Sequence, residues 1–285
     1  MSTQHSSVEH VSAEHLSNES LVNERVRLRI VDHVAEVRML RPEWHNGLDW
    51  AMIEGLLEAQ RRLAQHCQTQ PGDIRALVLA GAGESFCAGL DMADIMSQPQ
   101  RLPWLLEAAD DGINPVQRLA LGWRTLGVPV LAALQGHVYG GGLQIALGAD
   151  IRIAHPQAHL ALLEIDWGIM PDMGISLTAE GMRPDVIREM AWSGRRVIAQ
   201  EALTLGLVSR LADDPQQAAI EAARAIAARS PRAVAAFTEL MQQSPDLSAR
   251  ERLALEARLQ SGLLGSAEQQ EAVAARLQGR AARFE

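Results

Sequence analysis

Three consecutive glycines, Gly140-Gly141-Gly142, constrain this chain more than any other stretch, because they stand between a short apolar run at 130–134 and the helix expected to start near Gly141. A turn without side chains lets one backbone segment approach another closely. A second tight turn, Phe86-Cys87-Ala88-Gly89-Leu90-Asp91, follows the apolar run at 74–80. Two such turns can aim two backbone N–H groups at one point. Donors fixed there in advance would hold a developing negative oxygen, each contributing roughly 3 kcal/mol of transition-state stabilisation. Two ordinary turns would look the same in isolation, so the rest of the chain has to decide.

Residues 25–31 and 34–40 alternate in polarity around Asp32-His33, which predicts a two-stranded hairpin. Residues 49–66 carry apolar side chains at helical spacing, with Asp49 placed to cap the helix. The runs at 74–80, 130–134 and 151–154 read as short strands separated by helices, the pattern of α/β layers. Beyond about Leu211 the strand signal ends, and 215–228, 231–243, 247–264 and 267–280 read as amphipathic helices. The chain therefore divides into a polar, mobile tail over 1–22, a core over 23–211 and a helical region over 212–285.

Composition removes several classes of function. All 26 basic residues are arginine, which excludes a Schiff-base lysine, a phosphate-loop lysine and a Ser-x-x-Lys pair. With a net charge of −9 and no basic stripe, no nucleic-acid partner is expected. Gly81-Ala82-Gly83 lacks the third glycine of a dinucleotide fingerprint, and no His-Glu-x-x-His occurs, so nicotinamide and metal sites fall behind. No apolar run reaches the ~20 residues needed to span a bilayer, so no membrane association is expected. The first 22 residues lack the pattern of a secretory signal or transit peptide. Cys67 and Cys87 are too few for a disulfide framework, which points to a reducing cytoplasm. Cys87, inside a turn motif, reads as a packed thiol in preference to a nucleophile.

A third segment places Glu164 beside a loop punctuated by Gly168, Pro171 and Gly174. Five blocks now stand in order from about Glu24 onward: Arg41-Pro42 with His45-Asn46-Gly47-Leu48, then 86–91, 136–142, 164–174, and Ala199-Gln200-Glu201-Ala202 leading to Gly206-Leu207-Val208. Together they resemble the crotonase superfamily, the enoyl-CoA hydratases and isomerases. The resemblance implies a crotonase (ClpP-like) spiral of ββα turns, closed by C-terminal helices that hold a homotrimer or a dimer of trimers. It implies an acyl-CoA thioester as substrate, with coenzyme A part of that substrate and no separate cofactor. The oxyanion donors would be the N–H groups of Leu90 and Gly141, flanked by Ala88, Gly89, Asp91, Gly140 and Gly142. Trp104, in a proline-punctuated lid, and Trp167 would line the acyl pocket. Arg41 and Arg283, or Arg280 near Phe284, would reach the coenzyme.

In the hydratases one glutamate stands two positions after the glycine triplet and a second at the position of Glu164. Here the first is Gln144, and a carboxamide can hold a water or a substrate oxygen but cannot carry a proton near neutral pH. Acid–base assistance is typically worth ~100- to 10,000-fold, so two-glutamate hydration is not expected. Glu164 remains, with Asp172 where the hydratases usually carry glycine. The dienoyl-CoA isomerases resemble the chain in having acids at both positions but carry aspartate at the position of Gln144. The Δ3,Δ2-enoyl-CoA isomerases work largely with one carboxylate, at the position of Glu164. Asp172 reads either as a second acid or as a helix N-cap. If Glu164 and Asp172 are buried together, one can hold a proton. Asp150, Asp166, His45 and His137 read as structural or solvated. The expected activity is double-bond isomerisation of an unsaturated acyl-CoA. A specialised hydratase, with Gln144 positioning water, and a non-catalytic acyl-CoA-binding protein are the alternatives.

Overall fold

Alternating polarity over 25–40 folds as expected into a hairpin, β2 (Val26–Val31) against β3 (Val34–Met39), turned at Asp32 and His33 with φ of 52° and 65°. These angles are those of a two-residue turn whose twist matches the strands. The computed structural model describes residues 19–284. Glu19–Asn23 pair with β2 as an antiparallel edge strand, β1. The tail expected over 1–22 therefore gives way to ordered strand at Glu19, and residues 1–18 lie outside the described residues.

Beyond the hairpin the chain winds in repeated turns. Helix α1 (Trp50–Thr69), capped by Asp49 accepting from the Met52 N–H, returns the chain to β4 (Ala76–Gly81), parallel to β3. Helices α2 (Met92–Ser97), α3 (Leu102–Leu106) and α4 (Pro115–Leu121) precede β5 (Val130–Leu134) and β6 (His137–Tyr139). Helix α5 (Gly141–Leu147) leads to β7 (Ile151–Ala154) and β8 (His159–Ala161). Then come α6 (Ile175–Thr178), α7 (Pro184–Ser193), β9 (Val197–Ile198), α8 (Ala199–Thr204) and β10 (Arg210–Leu211). The large sheet has the order β1-β2-β3-β4-β5-β7-β10, and the small one β6-β8-β9. Single bridges pair Leu48 with Leu90 and Cys87 with Val138, both in parallel. Each turn thus lays one strand in the large sheet and its following segment beside the next turn's segment: β3 then Leu48, β4 then Cys87–Leu90, β5 then β6, β7 then β8. This is a ββα spiral, and it stacks the loops that carry the glycines.

Period-two burial explains the layers. On β4, Leu77 and Leu79 face one apolar cluster, with α1, α4 and α5, while Ala76, Val78 and Ala80 face the other. The second cluster is closed by α9 (Pro215–Ala227), whose Ala219, Ala223 and Ala227 recur every four residues. That spacing puts small side chains on one helical face, so the helix lies close to the sheet. Helix α9 therefore belongs to the core, although the sequence division assigned it to the C-terminal region. The later helices α10 (Pro231–Gln243), α11 (Ala249–Leu263) and α12 (Ala267–Gln278) bury little: α10 has no buried residue, α11 only Leu255 and α12 only Ala275.

Candidate active site

The spiral brings Leu48, the 86–91 turn and the glycine triplet to one place. The Leu48 N–H donates to the Gly89 carbonyl at 2.8 Å, and the Asp91 N–H donates to the Leu48 carbonyl at 3.1 Å. These two bonds fix Leu90 between them. Gly89 has φ +89°, and a Cβ there would lie 2.8 Å from the Tyr139 carbonyl and 3.5 Å from the Gly141 nitrogen. The two turns therefore touch through glycines, which is why side chains are missing there. Among the described residues, neither the Leu90 nor the Gly141 N–H donates to a protein acceptor. Gly141 opens α5, where first-turn N–H groups have no partner within the helix. Ala88, Gly140 and Gly142 complete the two turns: the Ala88 N–H donates to the His45 carbonyl, and the Gly140 N–H to the Ala161 carbonyl.

Glu164 begins a short 3-10 turn, Glu164–Trp167, closed by Gly168 in the left-handed region. Only 7% exposed, it approaches the triplet so closely that a Cβ on Gly140 would lie 3.4 Å from its Oε1. Oε1 accepts a hydrogen bond of 2.6 Å from Gln144 Nε2, while Oε2 is buried with no partner. Burial pushes the Glu164 carboxyl above its usual range. Its own backbone N–H and the Gln144 amide oppose that shift, and the charge of Asp172 adds to it. Asp172 is raised too, by burial, against the pull of its own backbone N–H. The N-cap of α6 is Gly174 with no side-chain cap, so the capping role considered for Asp172 is not what its side chain does.

Gln144 is 1% exposed, and its Oε1 accepts the Met173 N–H at 2.8 Å. That bond sets which end of the amide faces Glu164. Both ends of the side chain thus have protein partners, which the expectation of an amide free to hold water did not include.

Other expected site residues are placed differently. Arg41, expected at the coenzyme, is buried: its Nε lies 3.2 Å from Asp49 and its Nη1 2.8 Å from Asp91. A guanidinium already facing two carboxylates has no free charge for a phosphate, so Arg41 is corrected to a structural cation. Asp91, expected at the substrate, turns its carboxylate to Arg41 and caps α2 by accepting from the Asp94 N–H. Arg283 is exposed, with its backbone N–H donating to Glu271, and Arg280 is paired with Glu271. Trp104 lies 6.3 Å from Trp50 at a 44° tilt and is partly exposed, whereas Trp167 is exposed. Burial pushes the Cys87 thiol up to about 12, as a packed thiol requires. Asp150 holds the Val130 N–H, and His45 and His137 stack edge-to-face 4.8 Å apart.

Sequence reading missed Met173 and Tyr139, which act through backbone atoms and leave no residue-type signal. It also missed Asn46, whose side chain accepts from the Arg41 N–H and donates to the Ala82 and Ser85 carbonyls, tying the first turn to the second.

Comparison with known proteins gives one family. The sequence model described as enoyl-CoA hydratase/isomerase matches residues 29–285. The mouse protein named mitochondrial Delta(3,5)-Delta(2,4)-dienoyl-CoA isomerase is 32% identical over 206 residues, covering 69% of this chain but 60% of its own length, less than two thirds. Carnitinyl-CoA dehydratase of Proteus mirabilis (strain HI4320) is 35% identical over 202 residues, 67% of this chain and 71% of its own. The crystal structure of an enoyl-CoA hydratase from Polaromonas sp. JS666 superposes with a TM-score of 0.80 at 25% identity, covering 91% of this chain and 99% of its own. The spiral is therefore the crotonase fold.

Proposed function

The chain belongs to the enoyl-CoA hydratase/isomerase family, and from that premise we propose that it moves a double bond of an unsaturated acyl-CoA by proton transfer at Glu164. The observation that carries this reading is the pairing of one buried carboxylate, whose Oε2 has no partner, with an amide at Gln144 that cannot carry a proton. The N–H groups of Leu90 and Gly141 hold the thioester oxygen. Glu164 Oε2 takes a proton from carbon 2 of a β,γ-unsaturated thioester, and the electron pair spreads onto the held oxygen. The proton then returns at carbon 4, leaving the double bond between carbons 2 and 3. No net water or electrons are exchanged. Preorganised donors suit this charge because it develops only in the transition state and intermediate.

The raised pKa of Glu164 matches a base that must also give its proton back. A pure binder would have no use for it, since a buried carboxylate oxygen without a partner weakens the fold. Asp172 supports a second reading. Its field reaches Glu164 and it caps no helix, so it serves as a second proton carrier on a longer, dienoyl substrate. Coenzyme A enters as part of the substrate, with no further cofactor. Among the described residues no helix is long and apolar enough to cross a membrane, and both cysteines are free.

A panel of acyl-CoA thioesters tests the assignment. Migration in β,γ-unsaturated or dienoyl thioesters should exceed water addition to the α,β-isomer in kcat/KM. Faster hydration would move the protein to the hydratases, and binding without turnover would make it a carrier.

A further inference from the structure

We infer that Gln144 is a positioning residue: it clamps Glu164 by one oxygen, leaves Oε2 as the single reactive oxygen, and ties the site to proton transfer in preference to water addition. The inference rests on the reading of Glu164 as proton carrier and goes beyond it, because it assigns the work to one oxygen and names what selects it.

Three elements meet at this amide. Gln144 lies in the first turn of α5, Glu164 opens its 3-10 turn, and Met173 lies just before α6. A backbone N–H can only donate, so the 2.8 Å bond from Met173 makes the facing Gln144 atom the oxygen. The Nε2 end must then face Glu164, where it donates at 2.6 Å to Oε1. A donor on Oε1 favours the ionised carboxylate and keeps a proton off that oxygen. The proton goes to Oε2, the oxygen with no protein partner. A base with one working oxygen removes and returns its proton on one face of the substrate.

The same bonds argue against water addition. Gln144 is 1% exposed, its oxygen is taken by Met173 and its amide nitrogen by Glu164, so it does not present the acceptor that would orient an attacking water. The charge of Asp172 reaches Glu164 and opposes its ionisation. The Gln144 donor opposes both that field and burial in part, and the carboxyl stays above its ordinary value.

The test uses the full chain with Gln144→Met, which keeps the length and removes the donor, and Gln144→Glu, which keeps an acceptor for the Met173 N–H but turns a second carboxylate toward Oε1. In both, the acid limb of the kcat–pH profile should move up by about one unit or more, with kcat at pH values below the limb falling about tenfold and KM staying within about twofold. The same displacement should be read without substrate, by NMR titration of protein labelled with ¹³C at glutamate carboxyls, with the Glu164 signal assigned by its loss in Glu164→Gln. If the chain turns over no acyl-CoA, the reading of the function fails while the titration still tests the clamp. Thermal melts check folding, and should Gln144→Met not fold, Gln144→Glu carries the test. A roughly tenfold rise in KM with the limb unmoved would show that Gln144 holds substrate or water and overturn the inference. A Glu164 titration unchanged in the folded variants would also overturn it.

Discussion

Glu164 combines two demands that conflict, the charge that the proposed proton transfer needs and a site that is almost wholly buried. Its carboxyl titrates above the ordinary value of 4.5 in the folded chain, chiefly because it is buried. A raised acid means that the folded state holds the proton more readily than the unfolded state, so ionisation weakens the fold. This cost is absent below the unfolded value and complete above the folded one. Glu164→Gln should therefore raise the melting temperature at about pH 8, and the gain should disappear at about pH 4, where both states are protonated. Calorimetry at the two pH values checks this, and a lower melting temperature at the higher pH would mean that Glu164 is stabilised by a partner. At this scale the sequence was only half legible. Glu164 and the two glycine turns stood out by residue type and order. The state of Gln144 did not, because it is set by the Met173 backbone N–H, 29 positions away.

Among the elements, the segment from Arg41 to Leu48 does more than its position in the chain suggests. Arg41 joins Asp49, the cap of α1, to Asp91, the cap of α2, and so locks the 86–91 turn to the first turn of the spiral. Burial works to raise the Asp91 carboxyl, but hydrogen bonds from Arg41 and from the start of α2, with the Arg41 charge, outweigh it and hold it below its ordinary value of 3.8. A depressed acid contributes stability that is present above its unfolded value and lost as pH falls through the folded one. Removing the buried cation leaves Asp91 without its partner, while Asp49 keeps Arg25 at 2.9 Å, and losing one member of a buried pair typically costs about 3–5 kcal/mol. Arg41→Met should thus lower the denaturation midpoint at neutral pH and lose the part of the acid-induced destabilisation that comes from Asp91. Equilibrium unfolding across pH measures both, and an unchanged midpoint would return Arg41 to a surface role. The sequence marked Arg41 as notable yet misdirected it toward the coenzyme, since residue type cannot say whether a cation already has partners. Helices and strands were read far better, because period-two and period-3.6 burial is written directly in the order of side chains.

On the scale of the whole molecule, the C-terminal helices α10 to α12 leave Phe237, Met241, Leu253, Val273 and Leu277 exposed. A single chain does not cover these faces, and association between copies would. Light scattering at micromolar concentration should find a trimer or a dimer of trimers, and a monomer would contradict this account of the helices. The α/β class and the four late helices were legible in the sequence. The winding was legible through the family resemblance alone, since the spiral turns share no sequence repeat and are joined by backbone pairings such as Leu48 with Leu90. The central claim is that one carboxylate, opposite two fixed N–H groups, moves a proton beside a thioester. The most direct test is a β,γ-unsaturated acyl-CoA in heavy water, followed by NMR with wild type and with Glu164→Gln. The account predicts that wild type moves the double bond and places deuterium at carbons 2 and 4 before water adds at carbon 3. Glu164→Gln should do neither while binding the thioester within a few-fold. Most of the activity surviving in Glu164→Gln, or water addition outpacing exchange in wild type, would contradict it.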